Sequence, residues 1–329
     1  MSRVAVVFTG GTISMEIDAT AGGRVPTLSG ADILARTRGL DAIAEVVPID
    51  RGLTPASHFT WRDLFGVAAT VRAALADPTI DGAVVVQGTD TIEETAFFWD
   101  LLHAGPKPLV VTGAMRSAGE PDHDGPANIR DAVRAAAEPA LRCAGTVVVL
   151  AGTIEPADDA TKTHTAALDT FRSLNTGRLG RLDGEMVIVE RRRGARRHVD
   201  TDTTADRVEL ITAHVAMDGR LLDAAVDAGA EGIVVEGTGA GNTSLALLDA
   251  ARRAMDAGIP VALTTRCPSG SATAAYAFPG GGATWFRAGA LACGQLGGPK
   301  ARVALALGIG AGLADVGLAA LLAGPDDAR

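Results

Sequence analysis

The chain contains short, continuous runs of apolar, mainly β-branched residues, and each run stops abruptly at glycine and hydroxyl residues. The clearest run, residues 83–87 (AVVVQ), is followed by residues 88–91 (GTDT), and an earlier run, residues 4–8 (VAVVF), leads directly into residues 9–13 (TGGTI). Continuous β-branched runs are typical of strands that are covered on both faces, as in parallel α/β sheets. The pattern therefore predicts two buried strands, each with a threonine just beyond its end.

Segments with helical periodicity separate the apolar runs in the first half of the chain. We predict strands near residues 4–8, 43–49, 83–87, 108–112 and 146–151, and helices near residues 31–38, 61–76, 92–103 and 128–137. Alternating strands and helices indicate βαβ units with a parallel sheet. The first half is therefore predicted to be an α/β domain with a mostly parallel sheet.

The same alternation restarts near residue 208, after a polar stretch. We predict strands near residues 208–215, 232–236 and 260–264, and helices near residues 221–228 and 243–257. The expected organisation is a larger N-terminal domain over residues 1–190, a linker over residues 191–207, and a smaller C-terminal α/β domain over residues 208–329. The long apolar stretch 303–323 contains several glycines and an aspartate, which favours two short buried helices over a membrane-spanning helix.

Composition and charge narrow the classes of partner. A length of 329 residues exceeds the usual size of a single core, which agrees with two domains. The formal net charge of -9 opposes binding to nucleic-acid phosphates and to anionic membranes. We therefore expect a small-molecule partner, no nucleic acid and no membrane.

Cysteine and histidine spacing predicts neither disulfides nor a metal site. The three cysteines are far apart and form no CxxC, and the six histidines form no HExxH. The first apolar run is too short for a signal peptide. These features together predict a cytoplasmic protein in a reducing compartment, without a metal.

The residues after the first two buried strands have two interpretations. Parallel sheets bind ligands beyond the carboxyl ends of their strands, which is where Thr12, Thr89 and Asp90 fall. In the alternative, Thr91 and Glu94 form a capping box at the next helix, and the neighbouring residues only shape the turn. Because two strand ends each present a threonine, we favour a ligand site.

Three other segments stay open at this stage. Residues 16–30, which are polar and lack periodicity, form either a lid or an ordinary surface loop. Lys162 lies among hydroxyl residues and is either a solvated surface charge or a buried group that activates a hydroxyl. The arginine cluster at residues 191–197 is interpreted as a linker or an exposed hairpin, with nucleic-acid binding as the alternative.

Motifs for cofactors and for serine hydrolases are missing from the sequence. Residues 237–242 (GTGAGN) approach the dinucleotide pattern GxGxxG, but Asn242 stands where the pattern needs glycine. The sequence contains no GxxxxGK[ST] and no GxSxG. We therefore expect no cofactor.

Several segments together resemble the bacterial L-asparaginase and glutaminase-asparaginase family. They are residues 9–13 (TGGTI), 87–95 (QGTDTIEET), 113–116 (GAMR), 124–126 (DGP) and 161–163 (TKT), and weaker likenesses at residues 237–242, 265–270 and 298–303 extend the resemblance over nearly the whole chain.

This resemblance implies a two-domain α/β enzyme in which Thr12 is the nucleophile that attacks a side-chain amide. An acyl-enzyme forms, ammonia leaves, and water then releases an acidic amino acid. By the same resemblance, Thr89 and Lys162 form a second hydroxyl–amine pair and Asp90 binds the α-ammonium group of the substrate. A free hydroxyl is a poor nucleophile and a buried ammonium needs a carboxylate partner, so these residue types suit the chemistry.

The resemblance also implies a set of substrate-binding residues. Ser57 or His58 corresponds to the residue that binds the substrate carboxylate, because the alignment there is ambiguous by one position. Gly88 and Ala114 belong to loops whose backbone N–H groups are expected to stabilise an oxyanion. Asn242 corresponds to a residue that relatives supply across a subunit interface.

One departure from the family concerns tyrosine. Many members carry a tyrosine in the lid near the nucleophile, whereas the one tyrosine of this chain is Tyr276, in the second domain. We expect Tyr276 to complete the site of a neighbouring subunit, in a homodimer or a homotetramer. The alternative is a tyrosine packed in the core of the second domain.

The expected function is that of an amidohydrolase in asparagine catabolism, which converts L-asparagine to L-aspartate and ammonia and acts more weakly on L-glutamine. A subunit of a tRNA-dependent amidotransferase is one alternative, although such subunits carry an extra N-terminal domain and the TGGT motif here begins at residue 9. A catalytically silent amino-acid-binding sensor is another. An assay of ammonia release from asparagine separates these alternatives.

Overall fold

The computed structural model describes residues 1–18 and 20–325, and the chain divides into two units, Met1–Gly194 and Ala195–Arg329. A sheet of eight strands lies in the first unit and a parallel sheet of four strands lies in the second. Both units also contain helices. The prediction of an α/β fold, with a larger, mostly parallel sheet before a smaller α/β domain, is confirmed.

The large sheet has the strand order β12-β11-β8-β7-β6-β5-β1-β4. Its neighbours from β7 to β4 pair in parallel, whereas β8, β11 and β12 are joined by antiparallel pairings at the other side. Strands β2 and β3 form a separate antiparallel hairpin, as do β9 and β10. The strands of the first unit are β1 (Arg3–Phe8), β2 (Met15–Asp18), β3 (Gly23–Pro26), β4 (Glu45–Asp50), β5 (Gly82–Val86), β6 (Leu109–Thr112), β7 (Thr146–Leu150), β8 (Thr153–Pro156), β9 (Ala160–Lys162), β10 (Phe171–Ser173), β11 (Gly180–Asp183) and β12 (Met186–Val189).

Helices cover the middle of this sheet. The helices of the first unit are α1 (Gly30–Arg36), α2 (Trp61–Ala76), α3 (Ile92–Leu102) and α4 (Gly125–Ala137). Val4 and Val6 of β1 share a core cluster with Ile129 of α4. The alternate residues Ala5 and Val7 point to the other face and are equally buried. Burial on both faces explains why this strand reads as a continuous apolar run.

Helix α3 begins without the capping box that one interpretation of the sequence predicted. Thr91 is the residue before the helix, but its side chain accepts no capping hydrogen bond from the helix backbone. Its hydroxyl instead donates to the carbonyl oxygen of Ala56 at 3.2 Å. The interpretation of Thr91 and Glu94 as a capping box is therefore wrong.

Two arginines of the cluster are held by the fold, whereas Arg192 is exposed. The side chain of Arg193 is only 5% exposed and pairs with Asp100. Arg197, in the second unit, donates to main-chain carbonyls at the end of the last helix, among them those of Leu321 and Ala323. The prediction of an exposed basic segment is wrong for Arg193, because buried carboxylates and carbonyls of the fold take up these charges.

The second unit has four parallel strands in the order β13-β14-β15-β16. Its core clusters apolar residues of strands and helices around the fully buried Trp285. The apolar stretch near the C-terminus forms two short helices, as predicted, but the second is buried on one face only, and its Val316 is 84% exposed. The elements are β13 (Val208–Thr212), α5 (Arg220–Asp227), β14 (Gly232–Gly237), α6 (Leu245–Asp256), β15 (Val261–Thr265), α7 (Gly282–Arg287), β16 (Leu291–Ala292), α8 (Gly298–Gly310) and α9 (Asp315–Ala323).

Among the described helices, none has both the length and the apolar character needed to cross a membrane. The three cysteines, which all lie in the described part of the chain, are free thiols; two of them are exposed and Cys293 is buried.

Candidate active site

Three neighbouring strands, β6, β5 and β1, end at the same edge of the large sheet, and the loops after β1 and β5 touch main chain to main chain. A Cβ atom on Gly11 would lie only 2.2 Å from the backbone nitrogen of Gly88, and Gly11 has a φ of +99°. A Cβ atom on Gly113, after β6, would lie 2.5 Å from the carbonyl oxygen of Gln87. Glycine is required at these contacts because no side chain fits between the loops.

Thr12 stands at the start of a single 3-10 turn, Thr12–Ser14, directly after the Gly11 contact. The Ser14 hydroxyl donates to the carbonyl oxygen of Gly11 at 2.7 Å and stabilises the turn. Thr12 is half-buried, whereas Ile13 next to it is buried. The turn therefore anchors itself through Ile13 and leaves Thr12 partly open to solvent.

The Thr89 loop and Lys162 meet in a compact polar cluster. The Lys162 ammonium donates to Thr89 Oγ1 at 3.0 Å and to Asp90 Oδ1 at 2.8 Å. Thr89 is 4% exposed, and the side chain of Lys162 is 15% exposed. Of the two alternatives for Lys162, the solvated surface charge is wrong, because its ammonium is held by a buried hydroxyl and a carboxylate.

Asp90 differs from its two partners in exposure. Its side chain is 74% exposed although one carboxylate oxygen is paired with Lys162. A carboxylate has two oxygens and about four lone-pair sites, so it can accept from a second cation at the same time. Asp90 can therefore hold Lys162 and still bind the ammonium group of a small ligand.

The loop after β6 is held by Asp124 and Asn128, two residues whose role the sequence did not reveal. The backbone N–H groups of Met115 and Arg116 donate to Asp124 at 3.1 and 2.9 Å. The Asn128 amide donates to Asp124 at 2.9 Å and to the carbonyl oxygen of Gly113, also at 2.9 Å. Their i, i+4 spacing at the start of a helix was the available signal.

These contacts restrict which backbone groups can meet an oxyanion. Asp124 occupies the N–H groups of Met115 and Arg116, so Ala114 is the residue of that loop whose N–H group suits the role. Ala114 is completely buried. A donor in a dry position interacts more strongly with developing charge than one in water.

A buried glutamine organises the Gly88 loop from below. Gln87 is fully buried, and its side-chain oxygen accepts a hydrogen bond from the Thr95 hydroxyl at 3.0 Å. Its amide nitrogen donates to the carbonyl oxygen of Gly88 at 3.1 Å. Because a buried amide must be satisfied, this pair fixes the direction of the main chain at Gly88.

Ser57 and His58 lie in a 3-10 turn, Ala56–His58, beyond the edge strand β4. Ala56 is buried against Gly88, whose added Cβ atom would lie 3.1 Å from the Ala56 Cβ atom. Ser57 and His58 are both exposed. The structure thus brings this turn to the Thr89 loop and leaves both side chains accessible.

The β2–β3 hairpin follows the Thr12 turn, and its strands replace part of the irregular loop that the sequence predicted for residues 16–30. Glu16 pairs with Arg36 at 2.9 Å, and Arg24 pairs with Glu120 at 2.8 Å. Hydrogen bonds from Arg36 lower the pKa of Glu16, and those from Ser117 lower the pKa of Glu120. A lowered carboxylate pKa means that these contacts persist at neutral pH and weaken as the pH falls through the lowered value.

Two predicted site residues belong to the second unit. Tyr276 is 48% exposed, and its ring centroid is 6.0 Å from that of Phe278, which is 49% exposed. The alternative in which Tyr276 packs in a core is therefore wrong. Asn242 is half-buried, and its side-chain oxygen accepts a long hydrogen bond, 3.4 Å, from the backbone of Gly282.

Comparison with protein families identifies both units. Residues 3–194 match the model described as asparaginase, N-terminal, and residues 207–321 match the glutaminase/asparaginase C-terminal domain. The chain belongs to the asparaginase family. The resemblance that the motifs suggested is thus confirmed over nearly the whole chain.

The relatives of this chain include proteins named as L-asparaginases and one named as an amidotransferase subunit. An L-asparaginase of Bacillus licheniformis is 32% identical over 307 residues, which cover 93% of this chain and 94% of that relative. A protein of Haemophilus influenzae named probable L-asparaginase periplasmic is 37% identical over 199 residues, covering 59% and 57% of the two chains. A subunit of the glutamyl-tRNA(Gln) amidotransferase of Methanothermobacter thermautotrophicus is 32% identical over 277 residues, covering 81% of this chain and 63% of that relative.

Proposed function

We propose that this chain is an L-asparaginase that hydrolyses the side-chain amide of L-asparagine to L-aspartate and ammonia. The observation that carries the proposal is the cluster in which Lys162 contacts Thr89 and Asp90, beside the Thr12 loop. The cluster offers a second hydroxyl, a cation and a carboxylate, and the nucleophile Thr12 lies on the neighbouring loop at the same edge of the sheet. Membership of the asparaginase family supports the same reaction.

Binding in this proposal uses the charged groups of a free amino acid. Asp90 accepts the α-ammonium group, because its exposed carboxylate keeps acceptor capacity beyond the Lys162 contact. Ser57 or His58 binds the α-carboxylate from the neighbouring turn, and the main chain at Gly88 lines the floor between them. Two opposite charges fixed at separate points orient the side-chain amide, which lowers the entropic part of the barrier.

The chemistry proceeds by two acyl-transfer steps. Thr12 Oγ1 attacks the amide carbon while its proton passes to the leaving nitrogen. The C–N bond breaks, ammonia departs, and the acyl group of the substrate stays bound to Thr12 Oγ1 as an ester. Water then attacks the ester carbon, its proton passes to Thr12 Oγ1 as the ester C–O bond breaks, and aspartate is released with the Thr12 hydroxyl restored. N–H groups of the Thr89 loop and of Ala114 stabilise the oxyanion in both steps.

Lys162 supplies a positive charge for these steps, and Thr89 supplies a hydroxyl that this charge orients. The Lys162 ammonium donates to Thr89 Oγ1 at 3.0 Å, so the hydroxyl proton of Thr89 is directed away from Lys162. Thr89 can therefore donate to, or orient, a second oxygen, such as that of the attacking water. Acid–base groups in such positions contribute typically ~10²- to 10⁴-fold to a rate.

Glutamine is the second candidate substrate in this proposal, because it differs from asparagine by one methylene. A pocket discriminates one methylene by about 1 to 3 kcal/mol, or about 10- to 200-fold. We therefore assign weaker L-glutamine hydrolysis to the same site.

The proposed assembly is a cytoplasmic homodimer or homotetramer in which Tyr276 and Asn242 complete the site of a partner subunit. The exposed aromatic pair of Tyr276 and Phe278 supports this assembly, because aromatic residues are enriched in the buried centres of interfaces.

The test is ammonia release from L-asparagine by the purified chain. Thr12→Ala is expected to abolish turnover while the variant stays folded. Thr70→Ala is the matched control, since Thr70 lies on α2 and its hydroxyl donates to Gly66 within that helix. No release by the unmodified chain, or substantial release by Thr12→Ala, would refute the proposal, and binding of asparagine without release would identify a sensor.

A further inference from the structure

The position of Lys162 poses a physical problem. Its strand, β9 (Ala160–Lys162), is three residues long and pairs with β10 in a hairpin outside the large sheet. A lysine side chain has four flexible methylenes, so the ammonium stays 3.0 Å from Thr89 only if the backbone that carries it is fixed. The contacts that fix this backbone come from helix α3.

The first contact lies at the start of the helix. The backbone N–H group of Lys162 donates to Glu93 Oε2 at 3.1 Å. Glu93 is in the first turn of α3, three residues after Asp90, so one short segment carries the partners of both the Lys162 ammonium and the Lys162 backbone. A carboxylate is also stabilised at this end of a helix by the helix dipole.

The second contact lies seven residues further along the same helix. Asp100 pairs with Arg193 at 2.7 Å, and the same guanidinium pairs with Asp158 at 2.8 Å. Residues seven apart share one face of a helix and lie about 10.5 Å apart along its axis. Asp158 lies in the turn between β8 and β9, and β9 itself packs against α3. The chain is therefore fastened to α3 at Lys162 directly and at Asp158 through Arg193.

Asp100 makes two buried contacts, since besides Arg193 it accepts a hydrogen bond from the backbone N–H group of Thr146 at 2.8 Å. The Asp100 side chain is 1% exposed and that of Arg193 is 5% exposed. Burial opposes the charge on Arg193, but Asp100 and Asp158 outweigh this effect and raise its pKa. A buried ion pair is often no more stabilising than apolar residues of the same size. Asp100 also lies in the last turn of α3, where the helix dipole disfavours a carboxylate.

We propose that Glu93, and Asp100 acting through Arg193 and Asp158, are positioning residues that hold the Lys162 backbone at the distance its ammonium needs to reach Thr89. None of these four residues is placed at the reacting atoms in the proposed mechanism. The inference rests on the proposed function for its effect on catalysis, because only there does the Lys162–Thr89 contact matter for rate.

Variants of Glu93 test the first contact. Glu93→Ala removes the acceptor, and its kcat is expected to fall by about 10- to 100-fold with KM changed less than about threefold, since a displacement of about 1 Å can cost 10²-fold. Glu93→Gln keeps an oxygen in the same place and should recover most of the rate. Glu138→Ala is the matched control. Glu138 accepts a comparable backbone hydrogen bond, from Ala140 at 2.9 Å, in a turn that contains no predicted site residue.

Variants of Asp158 test the second contact without removing either partner of the buried Asp100–Arg193 pair. The Asp158 side chain is 27% exposed, so Asp158→Ala leaves the Asp100–Arg193 pair in place. Its kcat is expected to fall by about 10-fold, and Asp158→Asn should lose less because it keeps an acceptor. A fall in melting temperature with unchanged kcat would mean that the contact is only structural, and would overturn this part of the proposal.

A readout independent of activity separates this proposal from the proposed function. Trace acetylation followed by mass spectrometry measures how accessible each lysine is, and Lys107, whose ammonium donates to the carbonyl of Leu75, is an internal reference. We expect Lys162 to be acetylated several-fold faster in Glu93→Ala and Asp158→Ala, with Lys107 unchanged. Unchanged labelling of Lys162 in both variants would overturn the proposal even if asparagine is hydrolysed. Increased labelling would support it even if no ammonia is released.

Discussion

Substitution of Gly11 by alanine is the sharpest test of how the two threonine loops are held. The added Cβ atom would lie 2.2 Å from the nitrogen and 2.4 Å from the Cα atom of Gly88, and 2.6 Å from the carbonyl carbon of Gln87. All three are main-chain atoms, so no side chain can rotate away. An ordinary contact of about 3.4 Å is reached only if the loops separate by about 1.2 Å.

The expected loss of activity in Gly11→Ala follows from this displacement. Gly11 has φ and ψ of 99° and -174°, a region open essentially to glycine alone, and strain there costs about 1 to 3 kcal/mol. Since misplacement by about 1 Å can cost about 10²-fold in rate, we expect the kcat/KM of Gly11→Ala for asparagine to fall by about 10²-fold or more.

The assay combines ammonia release with thermal unfolding, and the control is Gly39→Ala. Gly39 also has a positive φ, +81°, but an added Cβ atom there would meet nothing within 4 Å. The Gly39→Ala variant should therefore lose some stability and keep its activity. If Gly11→Ala is folded and its kcat/KM is within threefold of the unmodified chain, the two loops are not required to touch and the reasoning is refuted.

The site and the fold also predict four other outcomes. Thr89→Val and Lys162→Met should each lower kcat by several orders of magnitude, and the double variant should lose little more, because residues that act as one unit are non-additive; additive losses would indicate separate roles. Competing-substrate assays should give a kcat/KM for asparagine about 10- to 200-fold above that for glutamine. Tyr276→Phe should be nearly inactive, and mixing it with Thr12→Ala under subunit exchange should restore activity; a fully active Tyr276→Phe would exclude the shared site. Burial raises the pKa of Cys293 to about 12, so a thiol reagent at a pH of about 8 should modify the two exposed cysteines and spare Cys293 until the chain unfolds.

The sequence predicted the central parallel strands well because their burial is almost complete. A strand covered on both faces must be apolar at nearly every position, as β5 (Gly82–Val86) is, and the pattern then needs no knowledge of neighbours. Helix α2 was predicted with the same bounds that the structure shows, Trp61–Ala76, because its apolar face alternates with polar residues. Local periodicity and burial coincide in these elements.

The failures have several causes. The β2–β3 hairpin has no buried face, and Ile17 within it is 68% exposed, so no apolar alternation marks its strands. Arg193 looked exposed because charged runs usually are, and its burial depends on Asp100, 93 residues away in the sequence. Helix α4 begins at Gly125 rather than near residue 128, and Pro126 was the missed signal, since proline is favoured in the first turn of a helix.

The two threonines and the lysine of the proposed site are held in place by different contacts. This difference determines which part of the site each substitution perturbs. Thr12 and Thr89 follow strands of the large sheet, and their loops touch through glycine main chain, so their spacing is set by atoms that cannot rotate. Lys162 lies in a short hairpin outside that sheet and depends on side-chain contacts from α3. A substitution at Gly11 therefore moves the threonines relative to each other, whereas a substitution at Glu93 moves the lysine and leaves the threonines in place. Comparing the two sets of variants measures the nucleophile and its charged neighbour separately, which replacement of Thr12 or Lys162 itself cannot do.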